Sequence, residues 1–152
     1  MAISALNVIR LVRIERNGTI LNRDDIPGRV QEVCRMAAEH FEKVSFCAPW
    51  VGYVAFAGEV CVGTCAFKTA PVNGEVEIAY ATFDGYRDQG YATAMVEALI
   101  ELANTADPNI AITAQTLLGD NASTRVLTKA GFVRVGDVMH PEDGLVSEWR
   151  LL

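Results

Sequence analysis

No apolar run in the chain approaches the ~18 residues of a membrane span. The most apolar N-terminal stretch, MAISALNVIRLVRIE, is interrupted by Arg10 and Arg13. A soluble, cytoplasmic protein with no targeting segment and no membrane partner is therefore expected. Paired cysteine spacing is missing too: Cys34, Cys47, Cys61 and Cys65 contain no C-x-x-C. That excludes a zinc ribbon, and Cys61 and Cys65 lie too far apart along one strand to bridge. Buried, reduced thiols are expected. Histidine is scarce, and His40 and His140 have no partner at metal-ligand spacing, so no metal is expected. Positive charge is short as well. Residues 51–152 carry six Lys/Arg against thirteen Asp/Glu. Such a surface repels a polyanion, which argues against nucleic acid. Repeats and low-complexity tracts are absent, so there is no linker at which to divide the 152 residues, and a single domain over 1–152 is expected.

What is present has the makeup of a globular chain, with 51% hydrophobic and 21% charged residues, enough to bury a core without staples. NVIRLVRI (7–14) reads as a strand. A helix follows from about Pro27 to Glu42, with Asp24 or Asp25 as its cap and Ile26, Val30, Val33, Cys34, Ala37 and Phe41 as its apolar face. VGYVAFA (51–57), EVCVGTCAFKTA (59–70) and EVEIAYATF (75–83) form an antiparallel meander around Gly58 and PVNG. A long helix, the strand IAITAQTL (110–117), a short helix at 121–131 and a closing hairpin across His140 to Gly144 complete the order. This is an α+β fold, a mixed and mostly antiparallel sheet of six to seven strands with helices on both faces. The helix between 75–83 and 110–117 makes those two strands parallel neighbours.

The junction YRDQGYATAMVEALIELA (86–103) places a glycine turn before a helix with almost no polar residues. Such a helix packs over most of its surface, yet its first N–H groups and dipole remain available to an anion. The loop is no P-loop, lacking G-x-x-x-x-G-K-[ST], and no dinucleotide fingerprint, lacking G-x-G-x-x-G. An ordinary strand–turn–helix junction would also place a glycine there.

The wider pattern resembles the GNAT acetyltransferases. Arg87, Asp88, Gln89, Gly90, Tyr91 and Ala92 match the signature [QR]-x-x-G-x-[GA]; Asn121, Ser123, Lys129, Gly131 and Phe132 match an N-x-x-S...K-x-G-F ending. Both segments look most like the branch that acetylates ribosomal-protein N-termini, and the likeness runs well over about residues 48 to 139. It implies the acyl-CoA N-acyltransferase fold, acetyl-CoA as cosubstrate, and an amine acceptor, either a small molecule or a peptide. Carried over by position, the amides of Arg87 to Ala92 would hold the pyrophosphate. The main chain at Ala81 and Thr82 would pair with the pantetheine arm, and Asn121 would reach the same arm. Asp88 departs from the family, where arginine or glycine is common.

Acetyl transfer to an amine requires deprotonation of the amine, polarisation of the thioester and departure of a thiolate. Direct attack in a ternary complex requires no enzyme nucleophile. Glu75 and Glu77 share one strand face with Ala79 and Ala81. Glu77 is the favoured base, at a position where that branch commonly has glutamate, although a solvent-facing strand residue is an equal reading. The family's usual tyrosine acid falls at Leu127, so Ser123 is its substitute, or else a second helix cap. Trp50, Tyr53 and Tyr80 could line a substrate cleft, although aromatics on strands more often belong to the core. A non-catalytic acyl-CoA-binding module is the competing function. The apolar closing hairpin is compatible with a homodimer.

Overall fold

A computed structural model describes residues 9–20 and 27–152. Seven strands and three helices run in the order β1 (Arg10–Arg13), α1 (Gly28–Lys43), β2 (Gly52–Ala57), β3 (Val60–Phe67), β4 (Glu75–Thr82), α2 (Tyr91–Ala106), β5 (Ala111–Leu117), α3 (Ala122–Ala130), β6 (Phe132–His140) and β7 (Gly144–Leu151) among the described residues. All seven strands form one sheet, ordered β1-β2-β3-β4-β5-β7-β6. Every neighbouring pair is antiparallel except β4 and β5, the pair joined by the crossover helix α2. This is the expected α+β architecture.

Strand alternation divides the core between the two faces. Val54, Phe56 and Cys61 meet Val30 and Cys34 of α1 on one face. Val76, Ile78, Cys65 and Phe67 meet Met95, Val96 and Leu99 of α2, and Leu127 of α3, on the other. The α2 residues at 95, 96, 99 and 103 are fully buried, the spacing of one helical face laid on the sheet.

Several boundaries differ from the sequence reading. β1 begins at Arg10, and residues 7 and 8 lie outside the described residues. The caps expected at Asp24 or Asp25, and Ile26 of the apolar face, also lie outside them. Pro27 precedes α1 with φ −56° and no side-chain cap, a position where its missing N–H costs nothing. β3 stops at Phe67 rather than running to residue 70; the Lys68 amide makes the last link to β4, donating to the Glu77 carbonyl at 2.9 Å. Cys34, Cys61 and Cys65 are buried and in no disulfide, whereas Cys47 is exposed in the α1–β2 connection.

Candidate active site

The site begins where the parallel strands part. Pairing between β4 and β5 runs from Glu75↔Ala111 to Ile78↔Ala114 and stops. Beyond that point β4 stays with β3 as far as Thr82↔Gly63, and β5 stays with β7 as far as Leu117↔Val146. The facing edges therefore open into a wedge, with residues 79–82 of β4 unpaired on the β5 side. Its narrow end is held by Arg150 of β7, which donates from Nη1 to Glu75 Oε2 at 3.0 Å. Its wide end reaches the start of α2. A cleft of about 740 Å³ fills the opening, lined by Tyr80, Ala81 and Thr82 of β4, the loop 86–90, and the first turns of α2 and α3.

The loop conformation suits an anion. Asp88 and Gly90 both have left-handed backbones, φ 61° and 87°. Left-handed residues interleaved in a turn aim successive amides into one concavity. Gly90 is the N-cap of α2 and no side chain caps that end. The first helical bond is Ala94 N–H to Gly90 C=O at 3.1 Å. The amides of Tyr91, Ala92 and Thr93 therefore have no carbonyl one turn back, and they sit at the positive end of the helix dipole. Asp88 does not cap the helix. Its short polar side chain suits the left-handed backbone, which most residues resist.

The loop's long side chains brace it from outside. Arg87 pairs with Asp84 at 3.1 Å, and Gln89 Nε2 donates to the Gly85 carbonyl at 3.3 Å. Arg29 of α1 lies 4.5 Å from the Phe83 ring centroid and 5.6 Å from that of Tyr86. It also donates to the Asp84 carbonyl at 3.3 Å. This link from α1 to the loop had no signal in the sequence, because its partners stand 54 to 57 positions away.

The far wall is the start of α3. Asn121 is its N-cap: Oδ1 accepts the Thr124 amide at 3.0 Å, while Thr124 Oγ1 accepts the Asn121 amide at 3.0 Å. The Asn121 amide group donates to the Leu117 and Gly119 carbonyls. Its side chain is thus occupied in holding the helix and is not part of the cleft lining. Ser123 is not a cap; it is exposed and lines the cleft. Leu127 is fully buried in the core. Tyr80, for which the sequence left both core and cleft lining open, is half-buried and lines the cleft. Its hydroxyl donates to the Ser123 carbonyl at 3.2 Å, and burial pushes its pKa up to about 12 against the smaller opposing effect of that bond.

The opposite sheet face, beside α1, carries the carboxylates. Glu77 lies in register with Thr113, two positions along β5 from Gln115, and Gln115 in turn pairs with Glu148 of β7. All four share a face, because their neighbours Val76, Ile78, Ile112, Ala114, Ser147 and Trp149 are buried on the other. Glu77 Oε2 is buried and is met by the Lys68 ammonium at 2.5 Å as an ion pair. Lys68 is held in turn by His40, whose Nε2 meets the Lys68 carbonyl at 2.6 Å. Glu148 is the carboxylate missed from sequence. It is half-buried beside Gly136 and has no charged or hydrogen-bonding partner among the described residues. Only the register reveals it, since it is 71 positions from Glu77.

His140 accepts the amides of Glu142 and Asp143 on Nδ1, so its ring organises the β6–β7 turn. A hollow of about 810 Å³ lies behind α3, lined by Arg125, Arg134 and Trp149 among others. Arg134 Nε donates to Ser147 Oγ at 3.2 Å on its wall, and it lies away from the unpaired edge of β4.

Residues 15–133 match the family model described as an acetyltransferase (GNAT) domain. A comparison with curated protein sequences found no match. Among solved structures, the chain is similar to the Salmonella typhimurium acetyltransferase that modifies the N-terminal serine of 50S ribosomal subunit protein L7/L12. Identity is 13%, coverage 99% of this chain and 98% of that one, and the TM-score 0.68. A chimeric spermidine N-acetyltransferase SpeG from Vibrio cholerae matches at 13% identity over 95% of each chain, TM-score 0.66. The microcin C7 self-immunity acetyltransferase MccE, in complex with acetyl-CoA and AMP, matches at 11% identity over 84% of this chain and 72% of that one, TM-score 0.65.

Proposed function

Since the chain belongs to the GNAT acetyltransferase family, we propose that it moves an acetyl group from acetyl-CoA to an amine by direct attack in a ternary complex. The observation that carries this reading is the wedge joined to the uncapped helix: an unpaired strand edge at residues 79–82 leading to the free amides of α2. Such an edge can add a peptide-like arm as an extra strand, and the amides and dipole beyond it suit a pyrophosphate. When bound, acetyl-CoA supplies an activated acetyl thioester.

Each residue then has a part. The main chain at Ala81 and Thr82 holds the arm, and the amides from Arg87 to Ala92 hold the pyrophosphate, with Gly90 allowing close approach. Arg87 and Gln89 brace the loop, and Asp88 supplies its left-handed turn. Asn121 fixes the far wall by capping α3, and Ser123 stands beside the leaving sulfur. On the opposite face Glu77 accepts the amine proton, directly or through water, and Glu148 is the second carboxylate there. The acceptor is an amine of a peptide or small molecule, as with the ribosomal protein and spermidine named for the similar structures.

The test mixes the protein with acetyl-CoA and a panel of amines, including peptide N-termini and polyamines, and measures thiol release. Turnover with at least one amine class is expected. Glu77→Gln should lower kcat with little change in acetyl-CoA affinity; an unchanged kcat would move the base to Glu148, Glu75 or water. Buried Leu127, at the place of the family's usual tyrosine, favours a second reading as a non-catalytic acyl-CoA-binding module. Calorimetric binding without thiol release across the panel would establish that reading. No heat with millimolar acetyl-CoA would sink both.

A further inference from the structure

We propose that the Tyr80 hydroxyl is a catalytic hydrogen-bond donor to the departing sulfur, an assignment that rests on the acetyl-transfer reading of the same cleft. Tyr80 stands on β4 just past Ile78↔Ala114, the last pair before the wedge opens. Its ring packs against the main core, while its hydroxyl crosses to the Ser123 carbonyl in the first turn of α3 at 3.2 Å. An arm laid along residues 79–82 passes between those two walls, so this donor lies on its path.

The contact with Ser123 is free to be exchanged. Ser123 is in the first turn of α3, where its carbonyl is also the acceptor for the amide four residues on. Turning the phenol proton into the wedge therefore leaves no carbonyl orphaned. Charge develops on sulfur as the carbon–sulfur bond breaks, and a fixed donor aimed there stabilises it. The phenol stays a neutral donor across the working range, since burial lifts its pKa to about 12. Ser123 is exposed, and its hydroxyl has no bond among the described residues that fixes its direction. Bonds balance without further reagents: the amine nitrogen bonds to the acetyl carbon, the carbon–sulfur pair leaves on sulfur, and the amine proton goes to the base. The thiolate, held by Tyr80, takes a proton from water on release.

Tyr80→Phe keeps the ring and removes the donor. The expected result is a kcat at least about tenfold lower, in line with loss of one transition-state donor, with KM and calorimetric Kd for acetyl-CoA within about twofold. Tyr53→Phe, which removes a phenol bonded to the Pro49 carbonyl outside the cleft, should keep kcat within about threefold. An unchanged kcat in Tyr80→Phe overturns the assignment. So does a loss shared equally by kcat and acetyl-CoA affinity, which is the mark of a strap across the wedge. Thiol release by the unmodified protein is measured alongside: its absence overturns the acetyl-transfer reading itself, whereas its presence with an unaffected Tyr80→Phe removes only Tyr80.

Discussion

Gly63 is where a single methyl should damage fold and site together. It lies on β3 opposite Thr82 of β4. A Cβ at residue 63 would stand 2.4 Å from the Ala81 carbonyl oxygen, 2.9 Å from Met95 Cε and 3.2 Å from Thr82 Cα. The Met95 methyl is the end of a flexible side chain, but the carbonyl belongs to a paired strand. Reaching an ordinary contact distance requires β4 to retreat by about 1 Å at Ala81. Overpacking of this kind costs about 1–3 kcal/mol, which for a chain of this size lowers Tm by roughly 2–12 °C. The retreat is directed into the wedge, since the other edge of Ala81 and Thr82 is its wall. Gly63→Ala should therefore also weaken acetyl-CoA binding. Differential scanning calorimetry and titration calorimetry measure the two effects. Gly28→Ala is the control, because nothing lies within 4 Å of its added Cβ, and its stability should change by no more than about 0.5 kcal/mol. A Gly63→Ala protein with wild-type Tm and wild-type affinity would refute the packing argument and, with it, the role of β4 as the cofactor wall.

Three further outcomes are expected. Gly90→Val places a β-branched residue at φ 87° beside the free amides of α2; the strain of about 1–3 kcal/mol and the added bulk should raise the acetyl-CoA Kd at least about tenfold, and an unaltered Kd removes the loop from the site. Asn121→Ala breaks the reciprocal bonds with Thr124 and should cost about 1 kcal/mol, seen as a lower Tm with modest change in kcat; a large kcat loss at unchanged Tm would return Asn121 to the cofactor arm. Tyr53 and Tyr80 both have pKa values pushed up to about 12, chiefly by burial. The folded state therefore keeps their protons while the unfolded state loses them from about pH 10. Stability should be intact below that pH and fall as pH rises toward 12. Phenolate absorbance followed with the unfolding midpoint checks this, and full ionisation of all four tyrosines in the folded protein near pH 10 would contradict it.

The parts of the molecule legible in sequence were those whose determinants are local. The strand 75–82, its turn and the helix from Tyr91 are contiguous, and the period change at Gly90 marks the boundary. The parallel pairing of β4 and β5 followed from chirality and connection length alone. Asn121 was visible but assigned to a ligand, although Thr124 three residues on is the reciprocal partner of a helix cap. For Tyr80 the sequence left cleft lining open but favoured the core, because a tyrosine on a half-buried strand more often belongs there. The end of β4–β5 pairing at Ile78 is what exposes it, and that end depends on where two distant strands diverge. Glu148 and Arg29 were illegible for the same reason: each acquires its neighbours through register or packing between segments distant in the chain.

This division follows the chemistry of the two halves of the site. The proposed cofactor half is made mostly of main chain: an unpaired strand edge, helix amides and two left-handed residues. Such features survive wide side-chain change, which is consistent with a TM-score of 0.68 at 13% identity. The proposed acceptor half is made of side chains on an open sheet face, Glu77 with Lys68, Gln115 and Glu148. Side chains can be exchanged there without moving a strand, so acceptor choice can change while the cofactor wedge stays fixed. Lys68 adds a constraint of its own. Its ammonium already occupies the Glu77 carboxylate, so a cationic acceptor approaching Glu77 meets a like charge 2.5 Å from that carboxylate, whereas Glu148 is unpaired among the described residues. On the proposed reading, an incoming ammonium is therefore attracted first to the Glu148 side of the face, and from there its nitrogen must lose a proton before it turns toward the opening between β4 and β5.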